Sequence, residues 1–332
     1  MAILVVLVVF MGVTFSHTSR IWSMGESGVE RMENLRAITE SIGNEMRGAL
    51  LPVDRTNLNS LQFVVNPVTL TGSSYNGDTV FWQAPIATGT AGDIAEVGYF
   101  VKWDTTRASN PKGILCRFFV NSDGNSPSSP VANSNYLIYT GTANPGLLEA
   151  AWLNNSLLNT VAPGTSSPPA PAQAYQGLFA ENVIGLWIRC RDRFGQPIVT
   201  GSFNGSSLQV SGTGHYGYDS RYGYSYTDPN SSGTTGTLYS PAYIPASSQT
   251  TQSPAMQPLA ALPREVDVGV VMVDSQVASR ITPAMATAIN TVITSSSNAV
   301  TFVTNAGANS SLKPIFPYLR SYQTEVYLEN GK

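Results

Sequence analysis

Charge is scarce in this chain. Of its 332 residues, 12% are Asp, Glu, Lys or Arg, about half the share of about 25% found in typical globular domains. Lys and Arg number 18 against 21 Asp and Glu, a net charge of −3. Without a basic excess the chain lacks the electrostatic footprint of a nucleic-acid binder. Its two cysteines, Cys116 and Cys190, exclude a disulfide-dense scaffold and a four-cysteine zinc site. Its two histidines, His17 and His215, leave little for metal ligation or acid–base chemistry. Small uncharged residues replace the charge: Ser, Thr and Asn total 90, and Gly with Pro total 50. The hydrophobic share of 42% still supports a folded core. The composition leans toward an exported or surface protein, and the length admits one large domain or two small ones.

Residues 1–15 (MAILVVLVVFMGVTF) carry no charge, and the first charged side chain is Arg20. Fifteen mostly apolar residues fall short of the about 20 that cross a bilayer as a helix. A cleaved secretory signal fits poorly, since no Lys or Arg precedes the run and no small-residue cleavage site follows it. The chain instead continues helically. From Arg20 to Leu50 there is no proline, and apolar residues recur at Ile21, Met24, Val29, Met32, Leu35, Ile38, Ile42, Met46 and Leu50. These steps define one slowly drifting helical face. Glu26 and Glu30 fall on the solvated side, Glu33 is within reach of Arg36 one turn on, and Pro52 ends the run. The expectation is one helix of about 50 residues, about 75 Å long, apolar in its first third and amphipathic afterwards, with a weak point at Gly25–Gly28. A membrane-anchored stalk carrying a head accounts for both parts.

The head reads as strands. Residues 61–65, 79–82, 96–103 and 114–120 are rich in β-branched and aromatic side chains. Asn110-Pro-Lys-Gly113 is a turn signal, so the last two form a hairpin. In the run 178–195, Leu186, Ile188 and Cys190 share one face and Trp187, Arg189 and Arg191 the other. The turn 192–195 then leads to a returning strand at 197–200. Residues 262–274 alternate Val266, Val268, Val270 and Met272 against Glu265, Asp267 and Gly269. Thr282-Pro283 opens a helix through Met285, Ile289 and Val292. Residues 300–303 are read as a strand or a continuation of that helix, and 322–328 as the last strand. Residues 146–158 suit a short helix and 164–171 a Ser/Pro linker. Residues 206–262 hold 7 of the 15 tyrosines but only three charges, the pattern of a long insertion, part loop and part disordered.

The apolar-then-amphipathic opening resembles the N-terminal helix of type IV pilin-like proteins, including the pseudopilins of type II secretion. The blocks EVGYFVKWD, GILCRFFV and LFAENVIGLWIRCRDRFGQPI look like the paired signature of J-type minor pseudopilins. The chain is most similar to the pilin-like family called Verru_Chthon cassette protein C, through TSRIW after the apolar helix and the final LRSYQTEVYLEN. The resemblance covers about residues 1–120, 178–200 and 262–330, and the order of the blocks carries it. It implies an α+β fold: a long N-terminal helix (residues 1–51) packed on a β-rich head (residues 52–332) with antiparallel sheets and the 206–262 insertion. It implies an inner-membrane, single-pass protein with its head in the periplasm or cell envelope. Met1, Ile3, Leu4, Val5, Val6, Leu7, Val8, Val9, Phe10, Val13 and Phe15 would form the membrane and assembly helix. Other pilin-like subunits would be the partners, in a secretion or pilus-type machine. The family's leader, its cleavage Gly and the Glu that pairs with a neighbour's N-terminus do not occur in this sequence, so the resemblance implies an upstream leader and a prepilin peptidase to cut it.

Other chemistry finds little support. Gly212-Thr-Gly-His-Tyr-Gly217 matches a dinucleotide motif, but the helix such a site needs cannot follow it. Asn121-Ser-Asp-Gly-Asn125 lacks the closing bidentate acid of a calcium loop. A Ser/His/Asp triad would rest on His215, in the stretch least able to hold an imidazole. No catalytic residue, cofactor or metal ligand is assigned, and the protein is read as non-enzymatic. Cys116 and Cys190 both sit on apolar strand faces, as two buried thiols or, outside the cytoplasm, as a disulfide. An alternative function is a tethered or secreted module binding carbohydrate or a surface through its tyrosines.

Overall fold

A computed structural model describes residues 2–50, 63–66, 75–85, 94–104, 109–120, 178–192, 194–198, 202–203, 206–207, 216–220, 224–227, 235–238 and 262–331. The expected elements at 146–158 and 164–171, and the Asn121–Asn125 turn, lie outside the described residues. The fold mixes helices with antiparallel sheets, an α+β class.

Helix α1 (Ala2–Arg47) opens the chain. Strands β1 (Phe63–Val65), β2 (Val80–Ala84), β3 (Ala95–Asp104), β4 (Lys112–Val120) and β5 (Leu178–Glu181) pair antiparallel in chain order. The β3–β4 hairpin pairs Trp103 with Gly113 and Val97 with Phe119, as the Asn-Pro-Lys-Gly turn predicts. Strand β6 (Val183–Arg191) follows β5 after one residue, Asn182, at φ 62°. A left-handed residue there turns the chain out of the first sheet and into a second. The crossing is tight, because a Cβ on Gly113 would lie 2.3 Å from the Val183 carbonyl oxygen.

The second sheet has the order β13-β12-β6, with β12 (Glu265–Val273) at its centre and β13 (Leu319–Tyr327) at its edge. Its alternation sets two cores. Val266, Val268, Val270 and Met272 face the first sheet, together with Leu186, Ile188 and Cys190. They meet Val80, Trp82, Val97, Tyr99, Val101 and Leu115 in one core. Val271, Val273, Ile184 and Trp187 face the other way. There they are covered by α2 (Ser275–Ala278), α3 (Pro283–Thr294) and α4 (Ala299–Ala308).

Two expectations are corrected. Residues 300–303 form neither a strand nor a continuation of α3. They belong to α4, which starts afresh after Asn298, whose side chain accepts from the Thr301 amide at 2.7 Å. A polar side chain that caps a new helix start outweighs the β-branched residues behind it. The 206–262 stretch is also more than an insertion. Strand β9 (Tyr218–Asp219) pairs with β1 and extends the first sheet to six strands. Ser220 exchanges hydrogen bonds with Phe63, at 2.9 Å through its amide and 2.8 Å through its hydroxyl. Tyr218, 3% exposed, packs edge-on against Phe63. Further pairs are β7 (Ser202–Phe203), just ahead of this stretch, with β8 (Ser206–Ser207), and β10 (Tyr224–Thr227) with β11 (Thr235–Leu238).

Candidate functional site

Helix α1 divides at Arg31. Before it, the described apolar side chains stand in the open: Ile3 is 83% exposed, Phe10 71%, Phe15 77% and Trp22 76%, with Leu7, Val8, Met11, Val13 and Val29 also exposed. Met1 and the side chains of Leu4, Val5, Val6 and Val9 lie outside the described residues. From Arg31 onward, burial recurs at Leu35, Ile38, Ile42, Met46 and Ala49, one stripe of a 3.6-residue helix. This stripe joins the core between the two sheets and packs on β12 and β13. Gly43 fits close under Val326, where an added Cβ would approach to 3.0 Å.

Polar contacts fasten this half to the head. Arg31 pairs with Asp274, the two side chains being 10% and 11% exposed. The same carboxylate caps α2 by accepting from the Gln276 amide at 2.9 Å. Further along, Glu45 accepts from both sides of the Arg117 guanidinium, at 2.7 and 3.1 Å, and from the Tyr99 hydroxyl at 2.7 Å. The two-pronged geometry fixes the direction of α1 as well as its position. Burial, reinforced by the Glu45 charge, holds the Tyr99 hydroxyl far above its usual pKa. Burial, the largest single influence on Arg117, pulls it down, but the Glu45 hydrogen bond and charge together with Tyr99 outweigh it and the guanidinium ends raised. Asn330 closes the far end by donating to the Ala49 carbonyl at 3.0 Å.

Sequence reasoning missed these tethers. In the sequence Arg31 and Glu45 are charges set between the apolar positions of the helix, with no partner in local reach to mark them. The available signal was their phase, since Arg31 lies on the same helical line as Leu35, Ile38 and Ile42. The structure also separates what looked like one drifting face. Val29 and Met32 are exposed, whereas Leu35 and Ile38 are buried. At about 100° per residue, Trp22, Val29 and Met32 point about 100–180° away from Arg31 and so away from the head. Arg36 pairs with Glu40 at 2.6 Å, rather than with Glu33.

A second polar cluster joins the sheets. Asp78 accepts from the Ile188 amide at 2.9 Å and from Asn66 at 2.6 Å, and pairs with Arg189. Arg189 lies over the Tyr216 ring, 4.8 Å from its centre, and the Tyr216 hydroxyl accepts from the Cys190 amide at 3.1 Å. Gly77, at φ +92°, permits this approach, since any Cβ there would lie 2.2 Å from the Leu186 carbonyl oxygen. The contacts are internal to the fold, the arrangement of a structural clamp.

Cys116 and Cys190 are both buried and free. In β4 the residues on either side of Cys116 alternate with it, and Leu115 faces the α1 core where Cys190 lies. Cys116 therefore projects from the opposite face of the first sheet. Burial pushes its thiol up to about 12 and raises Cys190 further. His215 and most of the Gly212–Gly217 motif lie outside the described residues, while Tyr216 packs against the core. Among the described residues, no group of acidic, histidine and cysteine side chains is placed to hold a metal, and no helix is long and apolar enough to cross a membrane.

Comparison with protein-family models, with curated proteins and with solved structures gave no match.

Proposed function

We propose that the protein is a non-enzymatic, pilin-like subunit, similar to a minor pseudopilin. Its apolar N-terminal run enters the inner membrane and associates there with other pilin-like subunits, while the head stands in the periplasm or cell envelope. One observation carries this reading. The apolar run lies on a helix whose other half is committed to the head, while its described apolar side chains stay exposed. A soluble monomer does not sustain that much contiguous apolar surface, and such surface marks a protein or membrane contact. The uncharged run is covered by lipid and neighbouring helices. The face bearing Trp22, Val29 and Met32 is turned from the head and open to a neighbour's helix. Helix packing in a bilayer then supplies cohesion, and the head sets which neighbours fit.

The test is site-specific photocrosslinking of the full chain at Phe10, Val13 and Trp22 in native membranes. Adducts with other subunits bearing an apolar N-terminal helix are the expected result. Adducts with lipid alone at all three positions would reduce the helix to a simple anchor. The carbohydrate-binding alternative loses two of its tyrosines, because Tyr218 is buried and Tyr216 packs against the core.

A further inference from the structure

The two ends of the head differ in charge. Helix α1 leaves the head where Arg31 meets Asp274, the residue that follows β12, beside the start of β13. The segment that follows Asp274, from Ser275 to Thr324, is free of acid. Between Asp274 and Glu325, the charged residues are Arg280, Lys313 and Arg320 alone, and all three are exposed. Their placement is fixed by the fold. Arg280 follows α2, which Asp274 caps. Arg320 is paired with Met272 across the sheet and donates to the Pro317 carbonyl. Lys313 lies in the run of turns that ends at Tyr318, whose carbonyl accepts from the Asp274 amide at 3.3 Å. Among the other described charges at this end, Lys112 and Glu181 offset each other at 3.5 Å, Arg31 and Asp274 offset each other, and Lys102 and Asp104 are half-buried. The opposite end carries Glu265, Glu325 and Glu329 around Arg264 and the Arg191–Asp267 pair. Glu265, most strongly, and Glu325 hold the exposed Tyr327 hydroxyl above its usual pKa.

We infer that the basic end, Arg280–Lys313–Arg320, is a docking surface for anionic phospholipid headgroups. The inference rests on the membrane reading above. Geometry supports it: Trp22, a residue type that settles at the membrane–water boundary, precedes Arg31 by nine residues, about 14 Å of helix. Extended Arg and Lys side chains cover about half of that gap, and the rest is within one Debye length of about 8 Å. Glu26 and Glu30 on the intervening helix, and Glu33 just beyond Arg31, oppose the attraction, so the surface acts as a tilt-selecting contact and not as a second anchor. Basic side chains near an anionic leaflet are attracted to it in this way. The head would be held upright or leaned onto its basic side, which presents the acidic end outward.

The experiment reconstitutes the full chain into vesicles of neutral phosphatidylcholine and into vesicles containing phosphatidylglycerol. It reads flotation and the hydrogen exchange of amides in 275–280 and 313–320. The expected result is flotation with both lipids and about tenfold slower exchange of those amides in the anionic vesicles only. High salt and the triple variant R280Q/K313Q/R320Q should abolish the protection without affecting flotation. Equal exchange in both lipids with flotation intact overturns the docking surface and leaves the anchor reading standing. Loss of flotation in both lipids overturns the two together. Protection that appears in neutral vesicles as protein density rises assigns the surface to a second copy of the chain and overturns the lipid inference.

Discussion

The two halves of α1 share one backbone and have opposite surroundings. Residues 31–49 place one stripe in the core, held by a buried ion pair at one end and by Glu45 near the other. Residues 2–30 leave their described apolar side chains in the open. The presence of apolar residues does not by itself decide which are covered, because both halves contain Ile, Leu and Met. Periodicity does: apolar residues on one stripe find a partner within the same chain, whereas apolar residues all round need a surrounding of their own. Residues buried by the fold contribute to folding, and residues left exposed contribute to association.

The comparison can be broken from either side. The largest effect is expected at the junction. Arg31→Met leaves the Asp274 carboxylate buried without its partner, and about 3–5 kcal/mol of stability should be lost, measured by urea unfolding in detergent. If Arg31→Met unfolds like the parent, α1 is not held to the head at this point. Within the committed half, Leu35→Ala should cost about 2–5 kcal/mol. Phe15→Ala in the open half should stay within about 0.5 kcal/mol and instead weaken flotation with vesicles. Similar costs at the two positions would erase the division. Glu45→Gln keeps the shape but removes the charge that Arg117 and Tyr99 share, and about 1–3 kcal/mol should follow. A loss confined to Glu45→Ala would show that packing and not charge matters there.

The smallest effect separates the halves by pH. The buried Cys116 thiol is pushed up to about 12 from an ordinary 9.0, and Tyr99 and Tyr216 are raised by burial in the same sense. The folded state holds these protons more tightly than the unfolded chain. Their contribution is therefore complete below about pH 9 and lost as pH rises through about 12. Unfolding midpoints should be level from neutral pH to about 9 and fall above it, less steeply in Cys116→Ala. Flotation depends on the open half, which has no such group, and should not change over that range. Parallel decline of flotation and folding would tie the two halves together.

Much of the head was legible because strands and capped helices write local signals. The alternation of Val266, Val268, Val270 and Met272, and Thr282-Pro283 ahead of α3, predicted both elements and their faces. Asn298 carries a comparable cap signal, but Val300 to Val303 drew the reading toward a strand. The strand at Tyr218 was hidden for a different reason. Its stabilising contacts come from Phe63, over 150 residues away in sequence, so no local pattern reports it. In the candidate site, the apolar run was plain from the absence of charge, whereas nothing in the local sequence marked Arg31 and Glu45 as tethers to the head. Burial of a charge depends on a partner, and Asp274 and Arg117 are distant in the chain.

By itself the sequence determined where charge is missing and where apolar residues keep a period. That was enough to divide α1 into an apolar run and an amphipathic stretch, and to place the alternating strands. Only the tertiary structure decided which apolar residues are covered, that Cys116 and Cys190 project from different faces, and that the basic residues after Asp274 gather where α1 leaves the head. Hydrophobic periodicity is a local property of the chain. Burial and charge pairing depend on which distant segments the fold brings together.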